Sequence, residues 1–311
     1  MKLFAIIEDT LRSRLSTIIV FLSISAFFLV IGVIVAVMVD PSKMVTSITT
    51  SQQNASQQGQ TQGPGQQQGR TEEEKDPQQQ QPQAPQQAPP PQIEIDLSTV
   101  PKLIEFFQTG LAGFIHFAAL LLGVFATAGI IPNTLEKGTI DLFLSKPVSR
   151  AEILTGRYLG GGLIVFLNTA FFVTGAWLII SIKTGYWNTP FLAVMGTVTV
   201  SYLILAAAMM ILGISTRSSA ATIIIVFFFI YLVAPILQSR EGFLFQLIDS
   251  EAIKSTISAI YYMLPKPGEF TEFAGKLIMH QELSWTPIWS SALFGGAMYG
   301  LSVFVFQRKD F

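Results

Sequence analysis

Asn133-TLEKGTIDLFLSKPVSRAEILTGR-Tyr158 is the one strongly charged, motif-like stretch enclosed between long apolar runs. The run before it ends at Pro132 and the next begins near Leu159. Glu136, Lys137, Asp141, Lys146, Arg150, Glu152 and Arg157 are costly in hydrocarbon, so the stretch is expected outside a bilayer that its neighbours cross. Within it, Leu135, Thr139, Leu142 and Phe143 recur at helical spacing, while Gly138 and Lys146-Pro147 punctuate the ends. A short amphipathic helix and a turn are predicted, with a polar face turned to a partner.

Composition agrees with a membrane protein. Half of the 311 residues are hydrophobic and only 13% are charged, and the mean hydropathy is +0.51; a soluble domain of this size does not show that combination. The net charge of -1 gives no basic excess, so nucleic acid is not an expected partner. With no cysteine, disulfides, thiolate chemistry and Cys-based metal sites are excluded.

Six charge-free stretches exceed the roughly 20 residues that a helix needs to cross the hydrocarbon. They are Leu15 to Val39, Phe106 to Leu135, Leu159 to Ile182, Thr184 to Thr216, Ser218 to Ser239 and Leu283 to Gln307. The spans are placed at 15–39, 103–132, 158–182, 190–214, 219–238 and 286–306. Ahead of them, in 1–14, Leu3, Ile7, Leu11 and Leu15 stand four apart, as in an interfacial elbow helix. No small-x-small cleavage site precedes Asp40, so the first span is expected to be retained. The fold class is all-α and polytopic: elbow, six spans, a cytoplasmic segment at 133–157 and an external helical segment at 239–285 before the last span.

Basic residues of the short connections set the orientation. Lys2, Arg12, Arg14, Lys137, Lys146, Arg150, Arg157, Arg217, Arg308 and Lys309 fall on one side. The other side has long segments and a short one flanked by Lys183 alone. Both termini, the tail at 307–311 included, are therefore expected in the cytoplasm of a cell (inner or plasma) membrane protein. The outer loop at 40–102 carries a Gln/Pro-rich insertion from Ser47 to Gln92 with almost no large apolar residue, which predicts disorder. Its Gly63-Pro64-Gly65 and Gly69-Arg70-Thr71 lack the spacing and lysine of a phosphate loop, so no nucleotide site is read there.

In 240–285, Phe243, Leu244, Leu247 and Ile248, then Ile253, Ile257 and Ile260, recur at helical spacing, and short helices packed on the outer mouth are expected. Trp285, Trp289, Tyr186 and Trp187 stand at span boundaries, where amphipathic rings favour the headgroup level. His116 is the one ionisable side chain well inside an apolar run. Its commoner role is a neutral imidazole hydrogen-bonded to a neighbouring helix; a substrate role is the alternative. No metal-ligand cluster or nucleophile elbow is present, and two histidines make a metal site improbable. Ala119/Gly123, Gly160-Gly161-Gly162 and Ala292/Gly296/Gly300 are small-residue spacings that let helices approach closely.

Glu136-Lys137-Gly138-Thr139, then Leu142, then Ser145-Lys146-Pro147-Val148-Ser149-Arg150 resembles the E-x-G-T…L…P-[VI]-S-R segment of ABC-2 type transporter permeases. The resemblance extends to the elbow, the six spans and the terminal Phe306-Gln307-Arg308-Lys309-Asp310-Phe311; the Gln/Pro insertion departs from it. It implies that Glu136, Lys137, Gly138, Thr139, Asp141, Leu142, Ser145, Lys146, Pro147 and Arg150 form a coupling helix that inserts into a separate ATPase subunit. It further implies a permease subunit of an exporter that is not itself an enzyme and holds no cofactor, ATP and Mg belonging to the partner ATPase. A second permease copy (a homodimer) or a paralogue, and membrane lipid, complete the expected partners. Two other classes stay open: a scaffold in an ABC-linked maturation or motility assembly, and a polytopic membrane enzyme, for which only His116 is at hand.

Overall fold

The computed structural model describes residues 2–38, 99–135 and 148–308. Its elements are α1 (Lys2–Ser13), α2 (Leu15–Met38), α3 (Thr99–Thr127), α4 (Ile130–Thr134), α5 (Arg150–Thr184), α6 (Ala193–Thr216), α7 (Ser219–Phe228), α8 (Ala234–Gln238), α9 (Glu251–Met263), α10 (Pro267–Ile278) and α11 (Thr286–Arg308). No strand occurs among the described residues. Six helical stretches are long and apolar enough to cross a membrane: Leu15–Ile34, Val100–Thr134, Arg150–Thr184, Thr189–Thr216, Ser219–Gln238 and Thr286–Arg308. The protein is an all-α, multi-pass membrane protein. The coupling residues Glu136, Lys137, Gly138, Thr139, Asp141, Leu142, Ser145, Lys146 and Pro147 lie outside the described residues, as does the 47–92 insertion.

The helix ends follow local chemistry rather than the limits of the apolar runs. α5 starts at Arg150, within the 133–157 segment of the sequence reading, because Ser149 caps it. The Ser149 hydroxyl accepts from the Glu152 amide, and the Glu152 carboxylate accepts from the Ser149 amide at 2.8 Å. The helix stops at Gly185, whose φ of 72° is open to glycine at little cost. Likewise α3 begins at Thr99, inside the 40–102 loop of that reading, carrying Lys102 and Glu105 in its first turns. α6 and α7 are joined by Arg217, at φ 50°, and by Ser218, whose hydroxyl accepts from the Ala221 amide. Between α7 and α8, Phe229–Val233 forms a π-helical turn. Pro235 has no N–H for the α ladder, and the Ala234 amide reaches back to the Phe229 carbonyl.

α6 is the centre of the bundle, packed against α5, α11, α3 and α10. Its Val194, Val198, Tyr202, Leu205 and Met209 meet Ala112, Ile115, Leu120 and Val124 of α3 and Val165 and Val173 of α5 in one core. Small residues set the spacing: a Cβ on Gly123 would stand 3.0 Å from Val165, and one on Gly162 2.6 Å from Leu203. In α11 the close contact is one residue away from the expected stripe. Gly295 faces Ile204, with 3.2 Å from its Cβ position to the Ile204 Cα, whereas Gly296 has nothing within 4 Å. Ser291 and Ser302, fully buried, share the packed face.

The 239–285 segment holds a π-helical turn at Arg240–Leu244, a short helix at Phe245–Leu247, α9 and α10, and α9 and α10 do not pack alike. α10 buries Phe270, Phe273, Ala274 and Ile278 against the bundle. α9 leaves Ile253 and Ile260 exposed and buries Tyr261 instead.

Candidate functional site

The elements flanking the coupling residues meet at one end of the bundle. α1 lies across α5 on a groove made by two glycines four apart. A Cβ on Gly156 would stand 2.5 Å from Ile6, and one on Gly160 2.8 Å from Thr10. Ile6 and Thr10, one turn apart, are the buried residues of α1. Between the glycines Arg157 turns back to α1: one guanidinium nitrogen is 2.9 Å from the Asp9 carboxylate, and the other donates to the Thr10 hydroxyl at 3.1 Å. The Thr10 hydroxyl in turn donates to the Ile6 carbonyl. A guanidinium placed so deep is tolerated because its charge is matched and its two terminal nitrogens are directed at acceptors.

The two stumps of the 136–147 segment are fixed at this same end. Leu135 is buried with Ile130, Ile131, Leu154, Met210, Ile214 and Phe306. Arg150 donates to the Gln307 carbonyl at 3.4 Å, tying the start of α5 to the end of α11. Arg14 lies beside Gly129, and burial pushes its guanidinium below the usual value without removing its charge. Of the ten coupling residues read from the sequence, Arg150 is the described one, and the structure places it at the foot of this packed knot.

Above the knot a cavity of about 20 Å³ is lined by Thr127, Tyr158, Gly161, Tyr202 and Met209, with Arg157 at its edge. The Tyr202 hydroxyl donates to Thr127 at 2.6 Å, and Thr127 donates to the Gly123 carbonyl. The space suits one water rather than a transported molecule. His116 is 3% exposed, and neither ring nitrogen has a hydrogen-bond partner among the described residues. The expected bond to a neighbouring helix is therefore not made among the described residues.

At the opposite end a second polar network joins α3, the turn after α5, and α10. The Tyr186 hydroxyl donates to Glu105 at 2.6 Å, and the Asn188 amide donates to Gln108 and to the Ile278 carbonyl. The bond to Glu105, with burial as the second cause, pushes the Tyr186 phenol up to about 12. No group of three or more His, Cys, Asp or Glu residues able to hold a metal occurs among the described residues.

The sequence reading missed Asp9, Thr10 and the two glycines as one constellation, because 147 residues separate Thr10 from Arg157. A local signal was available for part of it: Gly156 and Gly160 lie on one helix face around an arginine. The Ser149-x-x-Glu152 capping pattern was also legible.

The curated proteins give no match to the chain. The pattern of the family described as "ABC-2 family transporter protein" matches residues 7–311, from within the elbow to the last residue. The chain therefore belongs to the ABC-2 family of transporter proteins.

Proposed function

We propose that the protein is the membrane-spanning permease subunit of an ATP-driven exporter, paired with a second copy or a paralogue and served by a separate ABC ATPase. ATP and Mg belong to the ATPase. In this reading the end that carries α1, Arg14, Arg150, Arg217 and Arg308 faces the cytoplasm of the plasma membrane. Residues 136–147, hung between the packed Leu135 and Arg150, form the docking element. The observation that carries the reading is the family match across the spans and both stumps of that element. A docked partner that moves the element moves α5 directly and α1 through Arg157. The spans then reorient as rigid bodies to open a path outward. The largely uncharged interior suits a lipid-linked, amphipathic or peptide cargo.

Docking is tested at Asp141 and Thr139. Asp141→Lys places a repelling or unpaired charge in a desolvated contact, at a cost of several kcal/mol. Thr139→Pro breaks the predicted helix, at about 3 kcal/mol. Both variants are expected to reach the membrane at normal levels and to lose the co-purifying ATPase, or to hydrolyse ATP without transport in reconstituted vesicles. Wild-type binding and coupling in both would overturn the reading. ATPase binding with no transport activity in the wild type would favour the scaffold instead.

A further inference from the structure

Two cations are buried side by side at the end of the bundle remote from α1, and their charges are unequally matched. Arg240, 8% exposed, starts a π-helical turn, with its guanidinium carbon 3.7 Å from the centre of the Tyr261 ring. One of its terminal nitrogens is 3.0 Å from Glu241, another donates to the Leu237 carbonyl, and its Nε has no partner among the described residues. Lys266, 5% exposed, has its ammonium 4.9 Å from the centre of the same ring. That ammonium donates to the Ser290 hydroxyl, and no carboxylate among the described residues lies within ion-pair distance of it. Tyrosine rings and hydroxyls solvate a cation only in part, and a buried charge calls for a counter-charge. Burial and the neighbouring Arg240 both push the Lys266 amine below its usual value, while burial and Glu272 push the Glu269 carboxyl up against the opposing pull of Arg240 and Lys276. With Glu241 and Glu269 the corner holds as many carboxylates as cations, but among the described residues neither stands within ion-pair distance of the Lys266 ammonium, which is left without a counter-charge in contact.

The surroundings say what kind of anion completes it. A cavity of about 10 Å³, lined by Gln238, Tyr261, Lys266, Gly268 and Glu269, opens beside the ammonium. It accepts about one oxygen atom, not a whole anion. The oxygen's parent group must therefore sit at the mouth. Tyr262, its ring centre 5.4 Å from the ammonium, Met263 next to it in α9, and Trp289 next to Ser290 are 55%, 73% and 70% exposed and offer apolar surface near the ammonium.

We propose that Arg240, Lys266 and Tyr261 form a binding site for the phosphate group of an anionic amphiphile, one phosphate oxygen entering beside Lys266 and the apolar chains lying on Tyr262, Met263 and Trp289. The chemistry shared with a free anion is the phosphate; the apolar surface assigns it to a phospholipid. Glu241 tunes the site, because its carboxylate competes with the phosphate for Arg240. The site depends neither on the orientation in the membrane nor on an ATPase.

Native mass spectrometry of the purified full chain, released from detergent with dioleoyl-phosphatidylglycerol or dioleoyl-phosphatidylcholine, reads the site directly. The glycerol lipid is expected to be retained in preference to the choline lipid. Lys266→Met should lower its retention about fivefold, the effect of one cation near a lipid surface. Glu241→Gln should raise it, because Arg240 is then freed for the phosphate. Opposite signs separate a binding role from a structural one, which would lower retention in both variants. Glu241 is 74% exposed at its side chain, so that variant keeps a test in hand if Lys266→Met fails to accumulate. A further arm adds inorganic phosphate. Displacement of the lipid by phosphate at equal concentration assigns the site to a free anion and overturns the lipid assignment; no displacement supports it. Equal retention of the two lipids, or no response to Glu241→Gln, overturns the site altogether.

Discussion

Arg157 and Arg12 both pair with carboxylates of α1, yet they differ in what the pairing does. The Arg12–Glu8 pair is a surface contact, with Arg12 81% exposed, and such pairs contribute little. Arg157 is nine-tenths buried, and Asp9 is the carboxylate seen to face it. Asp9→Asn keeps a hydrogen-bond acceptor but removes the counter-charge, and because Asp9 is half-exposed the cost is about 1–2 kcal/mol rather than that of a fully buried pair. The purified protein should unfold at a lower temperature in the Asp9→Asn variant, while Glu8→Gln should lie within about 0.5 kcal/mol of wild type. Equal shifts would show that α1 is not held by Arg157. At this scale the sequence was least legible: Arg157 read as one more charge outside the bilayer, since nothing local records a partner so far along the chain. His116 shows the converse. Its place in a span was legible, but whether a neighbouring helix brings it a partner is decided by the packing of the fold, and none is found among the described residues.

Helices were legible wherever a run of more than about 20 apolar residues had no competing use, because hydrocarbon demands that every backbone group be satisfied internally. Their contact faces were less so. Gly295 and Gly296 are neighbours of identical chemistry, and only the packing of α11 on Ile204 decides which of them is needed. The same contrast operates at α1. Gly160→Ala drives a methyl to within 2.8 Å of Thr10, so α1 must lift or α5 must shift, at about 1–3 kcal/mol. Gly296→Ala meets nothing and should be neutral or slightly stabilising through helix propensity. Limited proteolysis should cut within residues 2–13 sooner in Gly160→Ala than in wild type, with Gly296→Ala unchanged. If both variants are cut alike, the groove is not the seat of α1.

For the whole molecule the six spans and their order were readable, as the described residues bear out, whereas the sides of the membrane rest on a charge bias. An even number of crossings returns the chain to the side on which it began, so one labelled site at each end decides the matter. The native chain has no cysteine. With Gln79→Cys and Gln307→Cys, an impermeant thiol reagent applied to intact cells should modify the first and spare the second. Modification of Gln307→Cys alone would invert the protein and move residues 136–147 out of reach of any ATPase.

The uninterrupted length of α5 sets how motion travels. It has 35 residues from its capping box to Gly185, a rod of about 52 Å. A rod of that length has no internal joint: a tilt of about 5° at its Arg150 end carries the Thr184 end through about 4.5 Å. The stretch Ser219–Gln238 is built otherwise, with a π-helical turn in its second half and Pro235 directly after it, where bending is localised. One displacement at the foot of the bundle is thus a lever stroke along α5 and a flexure along α7 and α8. The two helices answer the same push with different trajectories, and the gap between them changes shape as well as width.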